Sequence, residues 1–133
     1  MTAPVTIWLP GPPRGKGRPR HTKTGRTYTD SATRAYEAAL QYVGRRAMAG
    51  REPLQGPLAV DLVALFTPPV SWSKRKLAQA HAGELRPMGS VSDIDNLAKS
   101  IDGLNGVVWI DDAQVVDLSA SKRYSAVAGL HIT

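Results

Sequence analysis

The sequence predicts an α/β (α+β) domain, a small mixed β-sheet packed by two main helices. Short runs rich in β-branched and apolar residues stand at "VTIWL", "PLAVDLVALF", "VVDLSASKRY" and "AGLHIT", as strands require. Two other stretches, one after Asp30 and one after Asp93, place apolar residues at helical spacing. The chain has 133 residues, 42% of them hydrophobic, with no repeat, low-complexity tract or linker. That is enough for one core without staples, so residues 1–133 read as a single domain.

Taken in order, Val5 to Leu9 is a strand ended by Pro10. The next nineteen residues, "PGPPRGKGRPRHTKTGRTY", hold four prolines, which exclude a helix. Their glycines allow backbone to approach a ligand, and a hairpin is expected around "KTG". From Asp30, with Thr29 or Asp30 as N-cap, Ala32, Ala35, Tyr36, Ala39, Leu40, Val43 and Ala47 share a face, and Gly50 ends the helix. Pro57 to Phe66 reads as a strand largely buried on both faces and stopped by Pro68 and Pro69. "SWSKRKLAQAHAG" is a short amphipathic helix. A further helix starts near Ser92 or Asp93 and ends near Gly106, with Ile94, Leu97, Ile101 and Leu104 on one side and Asp95, Lys99 and Asp102 on another. "VVWI" is a short strand or extended segment and "DDAQ" a turn. "VVDLSASKRY" and "AGLHIT" read as a closing antiparallel pair.

The net charge of +6 is uneven: ten Lys/Arg stand against three Asp/Glu up to Gly56, and seven against eight beyond it. Arg14 to Arg26 consists of basic residues with Gly, Pro, His and Thr. This suits a loop that grips a polyanion, with Arg14, Lys16, Arg18, Arg20, Lys23 and Arg26 as phosphate contacts that position a nucleic acid without reading sequence. Trp8, Tyr28 and Trp72 are candidates for stacking on an unpaired base, although core packing suits Trp8 better and Trp109 belongs to the core. No apolar run approaches the roughly 20 residues needed to span a bilayer. The N-terminus lacks the pattern of a secretory signal, so a cytoplasmic location is expected. With no cysteine, disulfides, thiolate zinc sites and a cysteine nucleophile are excluded.

"VSDIDNLAKS" sets Asp93 and Asp95 one residue apart at a helix start. Capping and the helix dipole offer a plain structural explanation. Yet Lys99 follows four positions after Asp95, within reach on one helix face, and "WIDDAQVVD" adds Asp111, Asp112 and Asp117 beyond an apolar segment. Converging, the helix start and the strand end would gather three carboxylates around one point. Mg2+ favours such oxygen ligands together with phosphate oxygens, and in phosphodiester hydrolysis a divalent ion activates water and stabilises developing charge. Aspartates are too acidic to serve unaided as general bases. Other motifs fail: "GPPRGKG" has the wrong spacing for a P-loop, "DIDNLA" lacks the Gly and Glu of an EF-hand, the three histidines are isolated, and no serine sits in a nucleophile elbow.

"SDIDNLAKSIDGLNGVVWIDDAQVVD", followed by Lys122, resembles the RusA family of Holliday-junction resolvases in its D-x-D-N-x-x-K run and its acidic pair before Q-V-V. "LPGPPRGKGRPR" and "GRTYTD" resemble that family's opening. The resemblance implies a small, intertwined homodimeric endonuclease, often phage- or prophage-encoded, that resolves four-way DNA junctions with Mg2+ (Mn2+ as substitute) in a bacterial or phage-infected cell. It implies that Asp93, Asp95 and Asp112 are catalytic metal ligands, with Asp111 the fourth candidate, and that Lys99 is the essential lysine. The rivals are a non-catalytic nucleic-acid-binding protein whose aspartates are caps and salt-bridge partners, and a nuclease acting mainly on flaps or forks.

Overall fold

The computed structural model describes residues 4–15, 20–21, 25, 27–28, 31–88 and 93–133. Its elements in chain order are β1 (Ile7–Pro10), β2 (Arg20–His21), β3 (Thr27–Tyr28), α1 (Ser31–Met48), β4 (Leu58–Phe66), α2 (Lys74–His81), α3 (Ile94–Lys99), β5 (Val115–Tyr124) and β6 (Gly129–Ile132). Short 3-10 turns occupy Ser100–Leu104 and Asp112–Gln114. The α+β class is as expected. Four strands form one mixed sheet in the order β1-β6-β4-β5, with β4 parallel to β5 and the other neighbours antiparallel; β2 and β3 form the hairpin expected in the basic loop.

One face of the sheet carries the core. Ile7, Leu9, Val60, Leu62, Ala64, Leu130 and Ile132 meet Leu40 and Met48 of α1 and Leu97, Ile101 and Leu104 of the α3 region. Each such large side chain contributes on the order of 1.5–3 kcal/mol by leaving water. Along α1 the buried line is Thr33, Leu40, Gly44 and Met48, while Ala32 and Ala35 of the expected face are exposed. Gly44 explains the offset: a Cβ there would meet Leu104 Cδ2 at 2.8 Å, so the helix crosses the Ser100–Leu104 turn where it has no side chain. α1 then ends through two residues at positive φ, Ala49 at 51° and Gly50 at 82°, the second a conformation glycine adopts without strain.

Several expectations are corrected. β5 and β6 do not pair with each other; they flank β4 on opposite sides, because β4 is the central strand to which both bond. β4 is fully buried on one face only: Val60, Leu62 and Ala64 point into the core, whereas on the other face Val63 and Leu65 are half-buried and Ala59 and Asp61 are exposed. Trp8 is on that outer face as well, 38% exposed and lying over Gly129, because strand alternation gives the inner positions of β1 to Ile7 and Leu9. Val107–Ile110 forms no strand; Trp109 makes isolated bridges to Leu54 and Asn105 and is buried. The helix expected up to Gly106 gives way after Lys99 to the tighter 3-10 turn.

Candidate active site

Asp93 is the N-cap of α3, with extended backbone (φ −63°, ψ 149°), and its side chain makes no capping hydrogen bond. Its carboxylate is therefore not spent on the helix. Its carbonyl accepts from Leu97 N at 3.0 Å, and buried Leu97 pins the helix to the core. That anchoring leaves Asp95 in the first turn and Lys99 in the last turn exposed. No ion pair joins these two among the described residues, although their spacing permits one.

The chain continues through Ser100, whose hydroxyl donates to Leu97 O at 2.5 Å, to half-buried Asp102. Asn105 N donates to Asp102 O at 3.1 Å, and Trp109 Nε1 donates to Asn105 Oδ1 at 2.7 Å. Buried Trp109 thus holds the segment between Asp102 and the acidic pair. Leu54 N donates to Val108 O at 2.7 Å, which attaches the same segment to the residues before β4.

Asp112 is exposed, yet its carboxyl is raised from its ordinary 3.8 to about 6. The largest cause is a hydrogen bond with the Asp102 carboxyl, then one with Asp111, with slight burial and the two neighbouring negative charges adding to it. Neighbouring carboxylates disfavour each other's charged forms, so surplus negative charge accumulates here. Hard oxygen donors under such repulsion match a divalent cation of the Mg2+ or Mn2+ type. Among the described residues, no three His, Cys, Asp or Glu side chains form a metal-holding group. Asp112 therefore meets its partners pairwise, and Asp93 and Asp95 are not gathered with it into one cluster.

Asp102 is the residue that the sequence motifs did not single out. Its signal was present, since it shares a helix face with Asp95 and Lys99. Asp117, in contrast, is in register with Ala59 on β5 and lines a mostly apolar cleft of about 520 Å³ with Leu54, Asp61 and Ser119.

Of the basic residues, Arg14 is exposed. Its backbone amide is the polar neighbour of the Tyr36 hydroxyl, which burial pushes above the usual tyrosine range against the lowering effect of that amide. The contact falls short of a well-formed hydrogen bond but sets the start of the basic loop against α1. Arg20 is placed in β2 by its backbone. Lys16, Arg18, Lys23 and Arg26 lie outside the described residues. Trp72 packs edge-on against Tyr124 with ring centroids 5.4 Å apart, and the Lys76 ammonium is 4.2 Å from the Trp72 ring centroid.

The turn after α3 and the turn before β5 thus bring the carboxyl groups of Asp102, Asp111 and Asp112 into contact. Residues 10–133 match the family described as "Endodeoxyribonuclease RusA". The chain belongs to that family, and as such is an endodeoxyribonuclease by descent. It is also similar to the "Uncharacterized protein YqaN" of Bacillus subtilis (strain 168), with 38% identity over 122 residues, covering 86% of this chain and 84% of the relative. No described helix is long and apolar enough to cross a membrane.

Proposed function

We propose that the whole chain acts as one Mg2+-dependent endonuclease domain that resolves four-way DNA junctions. Family membership supplies the nuclease class, and the observation that carries the reading is the carboxyl group of Asp112 held between Asp102 and Asp111. In this reading Asp93, Asp95 and Asp112, not gathered into one cluster without metal, would close around the divalent ion when it binds, with Asp111 beside them. Bound Mg2+ would supply activation of water and neutralisation of charge at the scissile phosphate. Lys99, a point charge on a flexible stem, makes no ion pair with Asp95 and lies on the helix that Asp93 caps and Asp95 begins, where it would steady the phosphate. Arg14, Lys16, Arg18, Arg20, Lys23 and Arg26 would hold the DNA backbone and bring the phosphate to the ion.

Symmetric resolution requires two opposed cuts, which a two-fold homodimer provides. The sheet supports this reading. β5 is an edge strand with Val116 71% and Leu118 44% exposed, and an apolar open edge invites pairing with another chain.

The test is cleavage of synthetic four-way junctions, flaps and forks by the purified protein with Mg2+, with Mn2+ and with EDTA. Metal-dependent paired cuts in the four-way junction, faster than in flaps or forks, are expected. Binding without cleavage under either metal would identify a non-catalytic binding protein, and preferential cutting of flaps would overturn the junction assignment.

A further inference from the structure

The Gln114 side chain uses its full hydrogen-bonding capacity at the acidic turn. Its Oε1 accepts from Ile110 N at 2.8 Å and from Asp111 N at 3.1 Å. Its Nε2 donates to Leu54 O at 2.9 Å and to Gly56 O at 3.1 Å. An amide can accept twice and donate twice, and only this orientation satisfies all four partners: two backbone N–H groups need an acceptor and two carbonyls need a donor. Gln114 is half-buried, while Ile110, Asp111 and Asp112 are exposed. It bonds this exposed acidic turn to the backbone just before β4, beyond the point where Leu54 N already holds Val108 O. Leucine or methionine would fill much of the same volume and hold neither side.

We infer that Gln114 is a positioning residue, which clamps the backbone carrying Asp111 and Asp112 to the Leu54–Gly56 segment so that these carboxylates are presented in one orientation to a divalent cation. The inference rests on the proposed metal-dependent reading and assigns a part to a residue outside its ligand set. Gln114 touches neither ion nor DNA in this role. It acts through Asp111 and Asp112, as groups behind metal ligands do: their loss typically costs about 10–100-fold in metal affinity or activity.

The experiment compares full-length wild type with Gln114→Met. Mn2+ affinity is measured by calorimetry, four-way-junction affinity in EDTA, the Mg2+ concentration for half-maximal cleavage, and the exchange rates of the Ile110 and Asp111 amides. The variant is expected to bind Mn2+ at least about tenfold more weakly and to need correspondingly more Mg2+. Both amides should exchange faster, while junction affinity stays within about twofold of wild type and saturating Mg2+ restores most of the cleavage rate. Unchanged Mn2+ affinity and Mg2+ requirement in a folded variant overturn the inference. So does equal loss of junction binding, which would make Gln114 a general structural residue. If the methionine variant does not fold, Gln114→Asn carries the same expectation, because its shorter side chain cannot reach both sides at once. Wild type that neither binds Mn2+ nor cuts overturns the proposed function itself; wild type that does both, beside an unaltered variant, overturns only the role of Gln114.

Discussion

Replacing Asp102 with asparagine should change how metal binding responds to pH. In the wild type the Asp112 carboxyl is raised to about 6, chiefly by Asp102. At pH 5 it is then roughly 90% protonated, and because a ligand must shed its proton before it binds metal, apparent affinity falls about tenfold between pH 7 and pH 5. Asp102→Asn removes the largest cause and leaves Asp111, so Asp112 returns part of the way toward 3.8 and the fall shrinks to about threefold or less. Mn2+ calorimetry from pH 5 to 7.5 in non-coordinating buffers reads both ratios, and a ratio is insensitive to any uniform loss of affinity. The same group predicts a stability trend without metal. The folded state keeps a proton that the unfolded chain has released between about pH 4 and 6, so stability declines as pH rises through that window and levels off above it. Affinity that is flat between pH 5 and 7 in the wild type, or a tenfold fall that persists in Asp102→Asn, would refute the reasoning.

Packing and DNA contact give further expectations. Leu104→Ala should cost about 2–5 kcal/mol, because Leu104 is fully buried. Gly44→Ala alone sets about 1 kcal/mol of helix propensity against about 1–3 kcal/mol of overpacking on Leu104. With the leucine gone the 2.8 Å conflict disappears, so urea denaturation followed by tryptophan fluorescence should show favourable coupling on the order of 1–3 kcal/mol; additivity within about 0.5 kcal/mol would contradict the packing. Arg14→Ala should weaken junction binding alike on different sequences and make the slope of log K against log[salt] shallower by about 0.9, measured by fluorescence anisotropy; a sequence-dependent loss would count against a phosphate contact.

The elements of this fold were legible wherever one periodicity dominated. β1, α1, β4 and β5 appear close to their expected bounds, because runs such as "AVDLVALF" admit few alternatives; α3 starts where expected but stops at Lys99, and the Ile101 and Leu104 spacing continues it only as a 3-10 turn. Pairing was less legible. "VVDLSASKRY" and "AGLHIT" are adjacent in sequence and separated by a short turn-like link, as a hairpin would be, yet both bond β4, and no local signal distinguishes these outcomes. Apolar residues at Ala59, Val63 and Leu65 suggest two covered faces on β4, whereas the helical cover lies on one and leaves Val63 and Leu65 half-buried. The buried line of α1 runs through Thr33 and Gly44, residue types that an apolar pattern omits. At the site, the acidic residues were visible in sequence because carboxylates crowded into a basic chain need an explanation. The partnership of Asp102 with Asp112 depends on the 3-10 turn after Lys99, and the clamp formed by Gln114 depends on carbonyls of Leu54 and Gly56, far away in sequence. Neither has a periodic signature.

The most direct test is single-turnover cleavage of a four-way junction by wild type, Asp95→Asn and Asp112→Asn at saturating Mg2+, with junction affinity measured in parallel. Wild type should cut, and both variants should lose cleavage by about a thousandfold or more, a loss of about 4 kcal/mol in transition-state stabilisation. Their junction affinity should be equal to or tighter than wild type, since a negative charge near phosphate has been removed. Variants that still cut at rates close to wild type would contradict the assignment of these carboxylates to the ion.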